Sequence, residues 1–255
     1  MNIEIGAPSA CDREALRALW REAFGDTEEF LDLFERSAYS PTRARSLYCD
    51  GAISAALYWF DCACEGERIA YLYAIATAKA QRGRGLCRML MENTHAHLRA
   101  TGYSAAMLVP SEPSLFGFYE RIGYRRATKA SEFTCRSADE AIKLTRIGAD
   151  EYAALRRRML PNGGVLQEGE SLCYLAAQAE LYRADGILLA ARSEGESLVG
   201  IELLGDRSSA PRIVRFFEKE QGCFRTVGTE RDFSMILPLN GQKCPKPTYF
   251  GLAFD

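Results

Sequence analysis

The spacing of apolar residues changes period repeatedly along this chain, and each change predicts an element. Residues 3–5 alternate as a short first strand. Ser9 or Asp12 can cap a helix reaching about Phe24, with Leu16, Leu19, Trp20 and Phe24 at helical spacing and Gly25 as its stop. Thr27 opens a second helix with Phe30, Leu31, Phe34 and Ala38 on one face. Residues 45–49 and 52–60 form a hairpin turning at Asp50-Gly51, a strong turn dipeptide. A strand at 68–77 follows, then a long helix at 86–98 stepping through Leu86, Met89, Leu90 and Asn93 and ended by Gly102. A strand at 104–109, a short helix at 113–121 and a strand at 124–135 complete a β-α-α-β-β-β-α-β-α-β order. That order predicts a mixed α/β fold, with helices covering a central sheet.

After the polar connector at 136–140 the pattern restarts. Residues 141–147 resemble a first strand, 150–159 an amphipathic helix, and 187–192 with 198–204 a hairpin around Glu194-Gly195-Glu196. This echoes residues 1–60 and predicts two units, 1–137 and 138–255. Residues 160–182 and 205–232 carry no readable motif, and 233–239 and 249–254 read as two closing strands.

Composition adds bounds. At 47% hydrophobic and 26% charged residues the chain is of ordinary globular type. A net charge of −2 gives no electrostatic case for a nucleic-acid or anionic membrane partner. No run of about 18 apolar residues exists and the first residues lack a signal pattern, so a cytoplasmic location is expected. The nine cysteines are scattered, and the one close pair, Cys62-Ala-Cys64, lacks zinc-knuckle spacing, so free thiols are expected. The two histidines, His95 and His97, fall on different faces of one helix. No metal is expected.

Candidate chemistry sits between the 68–77 strand and the 86–98 helix, in the turn Arg82-Gly83-Arg84-Gly85. A strand, a glycine turn and a helix start present free backbone N–H groups to a phosphate. Gly83 and Gly85 let the backbone approach a ligand closely, and Arg82, Arg84 and Arg88 add positive charge. Taken alone this is equally a tight turn. It is neither a dinucleotide fingerprint, lacking the third glycine, nor a P-loop, lacking Gly-Lys-Ser/Thr.

A second segment, ending Phe118-Tyr119-Glu120-Arg121-Ile122-Gly123-Tyr124, gives that turn a context. Together the two segments resemble the GNAT superfamily of acyl-CoA-dependent N-acyltransferases over roughly residues 1–135. The family's Arg/Gln-x-x-Gly-x-Gly/Ala turn corresponds to Arg82-x-x-Gly85-x-Cys87, with cysteine as a small departure at the last position. The 24–31 and 115–119 runs resemble a bacterial branch of enhanced-intracellular-survival type, whose members carry a second, degenerate GNAT-like half. No second glycine turn appears, so a second cofactor site is not expected.

The resemblance implies acetyl-CoA as acyl donor. Ile75, Ala76 and Thr77 would hold the pantetheine arm and face the thioester oxygen through their backbone. Arg82, Gly83, Arg84, Gly85, Leu86 and Cys87 would hold the pyrophosphate. Tyr119 falls on the general-acid position; without that context it reads as one more core aromatic. Glu112 is a candidate base by position, though a carboxylate beside Pro113 also suits a helix start. The carboxylate of Asp255 is a second candidate, and Asp61 and Glu65 could line an amine site. The expected activity is acetyl transfer to a primary amine of a small molecule or protein. The rival is a non-catalytic acyl-CoA-binding regulatory protein, and the second half could supply a homo-oligomer interface.

Overall fold

Residues 2–240 and 244–254 are described by a computed structural model. The first half contains β1 (Ile3–Gly6), α1 (Arg13–Phe24), α2 (Glu28–Ser37), β2 (Ala44–Cys49), β3 (Ala52–Cys64), β4 (Glu67–Thr77), α3 (Leu86–Ala100), β5 (Ala105–Leu108), α4 (Leu115–Glu120) and β6 (Arg125–Arg136). The second contains β7 (Thr145–Arg146), α5 (Ala149–Met159), β8 (Leu166–Gln167), α6 (Glu170–Gln178), β9 (Glu180–Ala184), β10 (Ile187–Glu194), β11 (Ser197–Gly205), α7 (Ala210–Phe216), β12 (Gln221–Val227) and β13 (Arg231–Pro238).

Local signals explain most of the first half. Gly25 closes α1 at φ 77°, and the Thr27 hydroxyl accepts from the Phe30 N–H at 3.3 Å to start α2. Asp50 and Gly51 both take positive φ at the β2–β3 turn, at 50° and 83°.

Among the described residues, 13 strands form one sheet ordered β1-β2-β3-β4-β5-β13-β6-β12-β11-β10-β9-β7, with β8 pairing β3. The fold is a mixed α/β arrangement, with helices on both faces of the sheet. On one face Trp20, Leu31 and Phe34 pack against Tyr58, Phe60 and Tyr71. On the other, Leu86, Leu90, Leu98 and Phe116 pack against Leu57, Trp59, Leu72 and Leu108. Apart from the two-residue β8 inserted between α5 and α6, the sequence β7-α5-α6-β9-β10-β11-α7-β12 repeats the order β1-α1-α2-β2-β3-β4-α3-β5, and β4–β5 and β11–β12 are both parallel pairs. The closing strands are exchanged: β13 lies between β5 and β6, while β6 also pairs β12.

Three expectations are corrected. Of 141–147 only Thr145 and Arg146 are strand; the stretch is instead tied to α7, through the Ile142 N–H donating to the Arg212 carbonyl at 3.2 Å. Residues 249–254 form no strand beyond an isolated bridge between Gly164 and Tyr249. They are apolar because Tyr249, Phe250, Leu252 and Ala253 are buried by packing. The β3 strand also runs past Phe60 to Cys64, with Cys62 and Cys64 buried on one face as free thiols.

Candidate active site

The site begins where β4 and β5 part. Their parallel ladder pairs Ile69–Ala105, Ala70–Ala106 and Tyr71–Met107, and stops there. Beyond it β4 continues to Thr77 paired only with β3, and its ladder shifts register opposite Ala56–Tyr58. Ala74 takes φ 48° inside this irregularity, a left-handed conformation that costs a non-glycine residue about 1–2 kcal/mol and re-aims the strand. Ile75, Ala76 and Thr77 thus border a wedge between the two strands.

The far end of β4 leads into the glycine turn. Arg82 folds back, its Nε donating to the Thr77 carbonyl at 3.1 Å, while Arg84 pairs with the Gln81 side chain. Gly83 and Gly85 both sit at φ 77°, with open space where a Cβ would project. Gly85 is the N-cap of α3, so the N–H groups of the first turn are left for an outside acceptor. Leu86 is buried and Cys87 half-buried, its thiol pushed up to about 11 by burial. Only their backbones face the turn's chemistry. These residues fit an anionic ligand of pyrophosphate type.

Tyr119 stands on α4 over the same wedge. It is 8% exposed, and its phenol makes no hydrogen bond among the described residues. Burial, with Cys87 nearby, raises its phenol well above the usual range and keeps it protonated. A cavity of about 620 Å³ joins the wedge and Tyr119, lined by Tyr73, Ala74 and Ile75 of β4, by Leu108 and Val109, and by Tyr119.

The remaining lining residues carry no motif. Trp20, Phe24, Asp26 and Phe30 come from α1, α2 and their junction, and Gln178, Arg192 and Phe254 from the second half. Asp26 Oδ2 accepts from Trp20 Nε1 at 2.7 Å, which fixes its carboxylate at the wall. Arg192 is held by Glu194 at 2.6 Å. Phe254 packs 4.8 Å from Phe60 and 4.9 Å from Tyr174, ring centre to ring centre.

Other candidates lie elsewhere. Glu112 is exposed in the loop after β5, accepts from the Ser114 hydroxyl at 3.2 Å and does not line the cavity. Asp61 bonds Arg68 and Tyr103, and Glu65 accepts from the Lys246 N–H, both away from the cavity. Asp255 lies outside the described residues. Buried His95 bonds the Tyr124 hydroxyl at 2.8 Å. Among the described residues no group of three or more His, Cys, Asp or Glu could hold a metal, and no helix is long and apolar enough to cross a membrane.

The model of the family described as "Acetyltransferase (GNAT) domain" matches residues 6–127, the stretch that contains the wedge, the glycine turn and Tyr119. This part of the chain is a GNAT acetyltransferase domain. Solved structures extend the likeness of fold to nearly the whole chain. A GCN5-related N-acetyltransferase from Kribbella flavida superposes with a TM-score of 0.71 at 15% identity, covering 93% of this chain and 72% of that one. Another from Anabaena variabilis gives 0.71 at 14% identity, covering 94% and 73%. Eis1 from Mycobacterium abscessus gives 0.64 at 14% identity, covering 94% and 74%. No curated protein sequence matches the chain. The GNAT domain supplies the glycine turn and Tyr119, whereas part of its cavity wall comes from outside the matched residues.

Proposed function

We propose that the protein transfers an acetyl group from acetyl-CoA to a primary amine of a small molecule or protein, by direct attack in a ternary complex. The observation that carries this reading is that the β4–β5 wedge and Tyr119 line one cavity, with the glycine turn at the end of β4. In this reading the N–H groups from Gly83 to Cys87 hold the pyrophosphate. Ile75 and Thr77 pair with the pantetheine arm as an added strand would, and an N–H at Ile75 or Ala76 faces the thioester oxygen, where charge develops. The amine nitrogen attacks the carbonyl carbon, the C–N bond forms and the C–S bond breaks. Tyr119 gives its proton to the departing sulfur and is restored by a proton that the acylated nitrogen sheds.

The incoming amine is cationic before reaction. Asp26 supplies a carboxylate at the wall, and Trp20, Phe30 and Tyr73 supply ring faces, which together suit an ammonium group. The surplus ammonium proton leaves through water. Exposure of Glu112 speaks for a helix-start carboxylate rather than a base. Asp255 remains a proposed base on the strength of Phe254 reaching the cavity.

We read residues 1–137 and 138–255 as two GNAT-like halves, the second degenerate. The repeated element order supports this. In the second half the β11–β12 ladder extends from Ser197–Gln221 to Leu203–Thr226 and leaves no comparable wedge. Its turn carries Asp206, whose carboxylate accepts from the Ser208 N–H at 2.9 Å where an anion would sit.

The test is titration of acetyl-CoA into the wild type and into Arg84→Glu, Gly85→Asp. Micromolar binding that the double variant abolishes is expected; no binding to the wild type would overturn the reading. The rival, an acyl-CoA-binding regulator without catalysis, would bind equally but form no acetylated amine.

A further inference from the structure

A second cavity of about 430 Å³ opens at the opposite end of α3 from the glycine turn, lined among others by Thr42, Arg43, Arg45, Trp59, Arg68 and His97. Since α3 has 15 residues at 1.5 Å each, the two places lie about 20 Å apart. Arg45 faces α3 from β2, opposite Leu57 in the β2–β3 ladder.

Two of the three arginines have carboxylate partners. Arg68 holds Asp61 at 2.8 Å, with its guanidinium 3.9 Å above the Tyr103 ring, and Arg43 lies 3.5 Å from Glu170. The Arg45 guanidinium has neither an ion pair nor a hydrogen bond among the described residues. Three guanidiniums therefore face two carboxylates, leaving one positive charge unmatched. The Nε atoms of Arg43 and Arg45 are both buried without a hydrogen-bond acceptor. Unanswered donors on a charged group are costly to bury, and burial without a counter-charge lowers the affinity of Arg45 for its own proton.

We propose that this groove is an anion site separate from the glycine turn, taking the phosphate group of a small phosphorylated molecule. A guanidinium presents a planar fork of N–H donors that matches phosphate oxygens in pairs. Arg45 supplies the unmatched charge and the free fork, and Thr42 a hydroxyl at the rim. Trp59 and His97, with ring centres 5.9 Å apart and planes inclined by 58°, line the groove beside the arginines, with room for the organic remainder. The carbonyl end of α3 would repel an anion, but Arg68 already donates to the Thr101 carbonyl at 3.3 Å. The proposal does not depend on the acetyl-transfer reading.

The experiment titrates inorganic phosphate into the whole protein, as wild type, as Arg45→Gln, and as the Arg84→Glu, Gly85→Asp variant. Saturable binding that survives in the glycine-turn variant and weakens about tenfold or more in Arg45→Gln is expected. Absence of saturable binding to the wild type, or loss in the glycine-turn variant alone, would overturn the proposal. Acetate titrated in the same way should bind far more weakly; equal binding would remove the assignment to phosphate. If Arg45→Gln does not fold, Arg45→Lys, which keeps the charge and loses the fork, takes its place with a smaller expected loss, and unchanged affinity there counts against the site.

Discussion

The hydroxyls of Tyr73 and Tyr174 meet at 3.2 Å, although 101 residues separate them in the chain. Tyr73 lines the cavity from β4, and Tyr174 stands behind it on α6, packed against the ring of Phe254, which is itself a lining residue. The wall of the cavity is therefore a joint product of both halves.

Tyr119→Phe should keep acetyl-CoA affinity and lose more than about tenfold in turnover. Steady-state rates beside a binding titration check this. Because the phenol is held well above its ordinary value, wild-type activity should show no alkaline decline from Tyr119 up to about pH 10. An unchanged rate in the variant would remove Tyr119 from the chemistry.

Asp26→Asn keeps an oxygen to accept from Trp20 Nε1 and loses the charge. For a cationic amine acceptor, KM should rise by about tenfold while acetyl-CoA affinity stays put. A KM that does not move would place the ammonium elsewhere in the cavity.

His95 is buried, and burial pulls its imidazole down to about 4. The unfolded chain binds that proton at the ordinary value of about 6.5, so the folded state favours the neutral ring. Its contribution is fully present above pH 6.5 and is lost as pH falls towards 4, up to about 3 kcal/mol. Denaturation midpoints across this window should fall more steeply for the wild type than for His95→Gln. Parallel slopes would assign the acid sensitivity to other groups.

Arg156 and Glu202 form a buried two-point pair at 2.7 and 3.0 Å, with the Tyr152 hydroxyl donating to Glu202 at 2.9 Å. Removing one partner strands a buried charge. Arg156→Met should cost about 3–5 kcal/mol, and adding Glu202→Leu should recover part of that loss. A urea-unfolding comparison of the single and double variants decides; a double variant as unstable as the sum would show that the two do not act as a pair.

Legibility in the sequence followed the range of the signal. Gly25, Asp50-Gly51 and Gly102 act within a few residues, so the elements around them could be read directly. The glycine turn and Tyr119 sit in short runs whose order also carries information. Asp26, Gln178, Arg192 and Phe254 gave no such signal, because the cavity assembles them from parts of the chain far apart. Helix α6 was unreadable inside 160–182, and the apolar run at 249–254 resembled a strand because both a strand and a packed irregular segment need apolar side chains. The exchange of β6 and β13 has no local signature, since pairing partners are chosen by the whole sheet.

Strand β13 also sets an order of events during synthesis. Its Met235, Ile236 and Leu237 pair with Leu108, Met107 and Ala106 on the β5 edge, the same strand that forms one wall of the wedge. A ribosome that has finished residue 137 has synthesised every residue of the glycine turn and Tyr119, yet the β5 edge still waits for a partner about 100 residues away. A nascent chain in that interval presents an open, apolar sheet edge, the kind that chaperones bind and aggregates grow from. Truncation between the halves would make that exposure permanent.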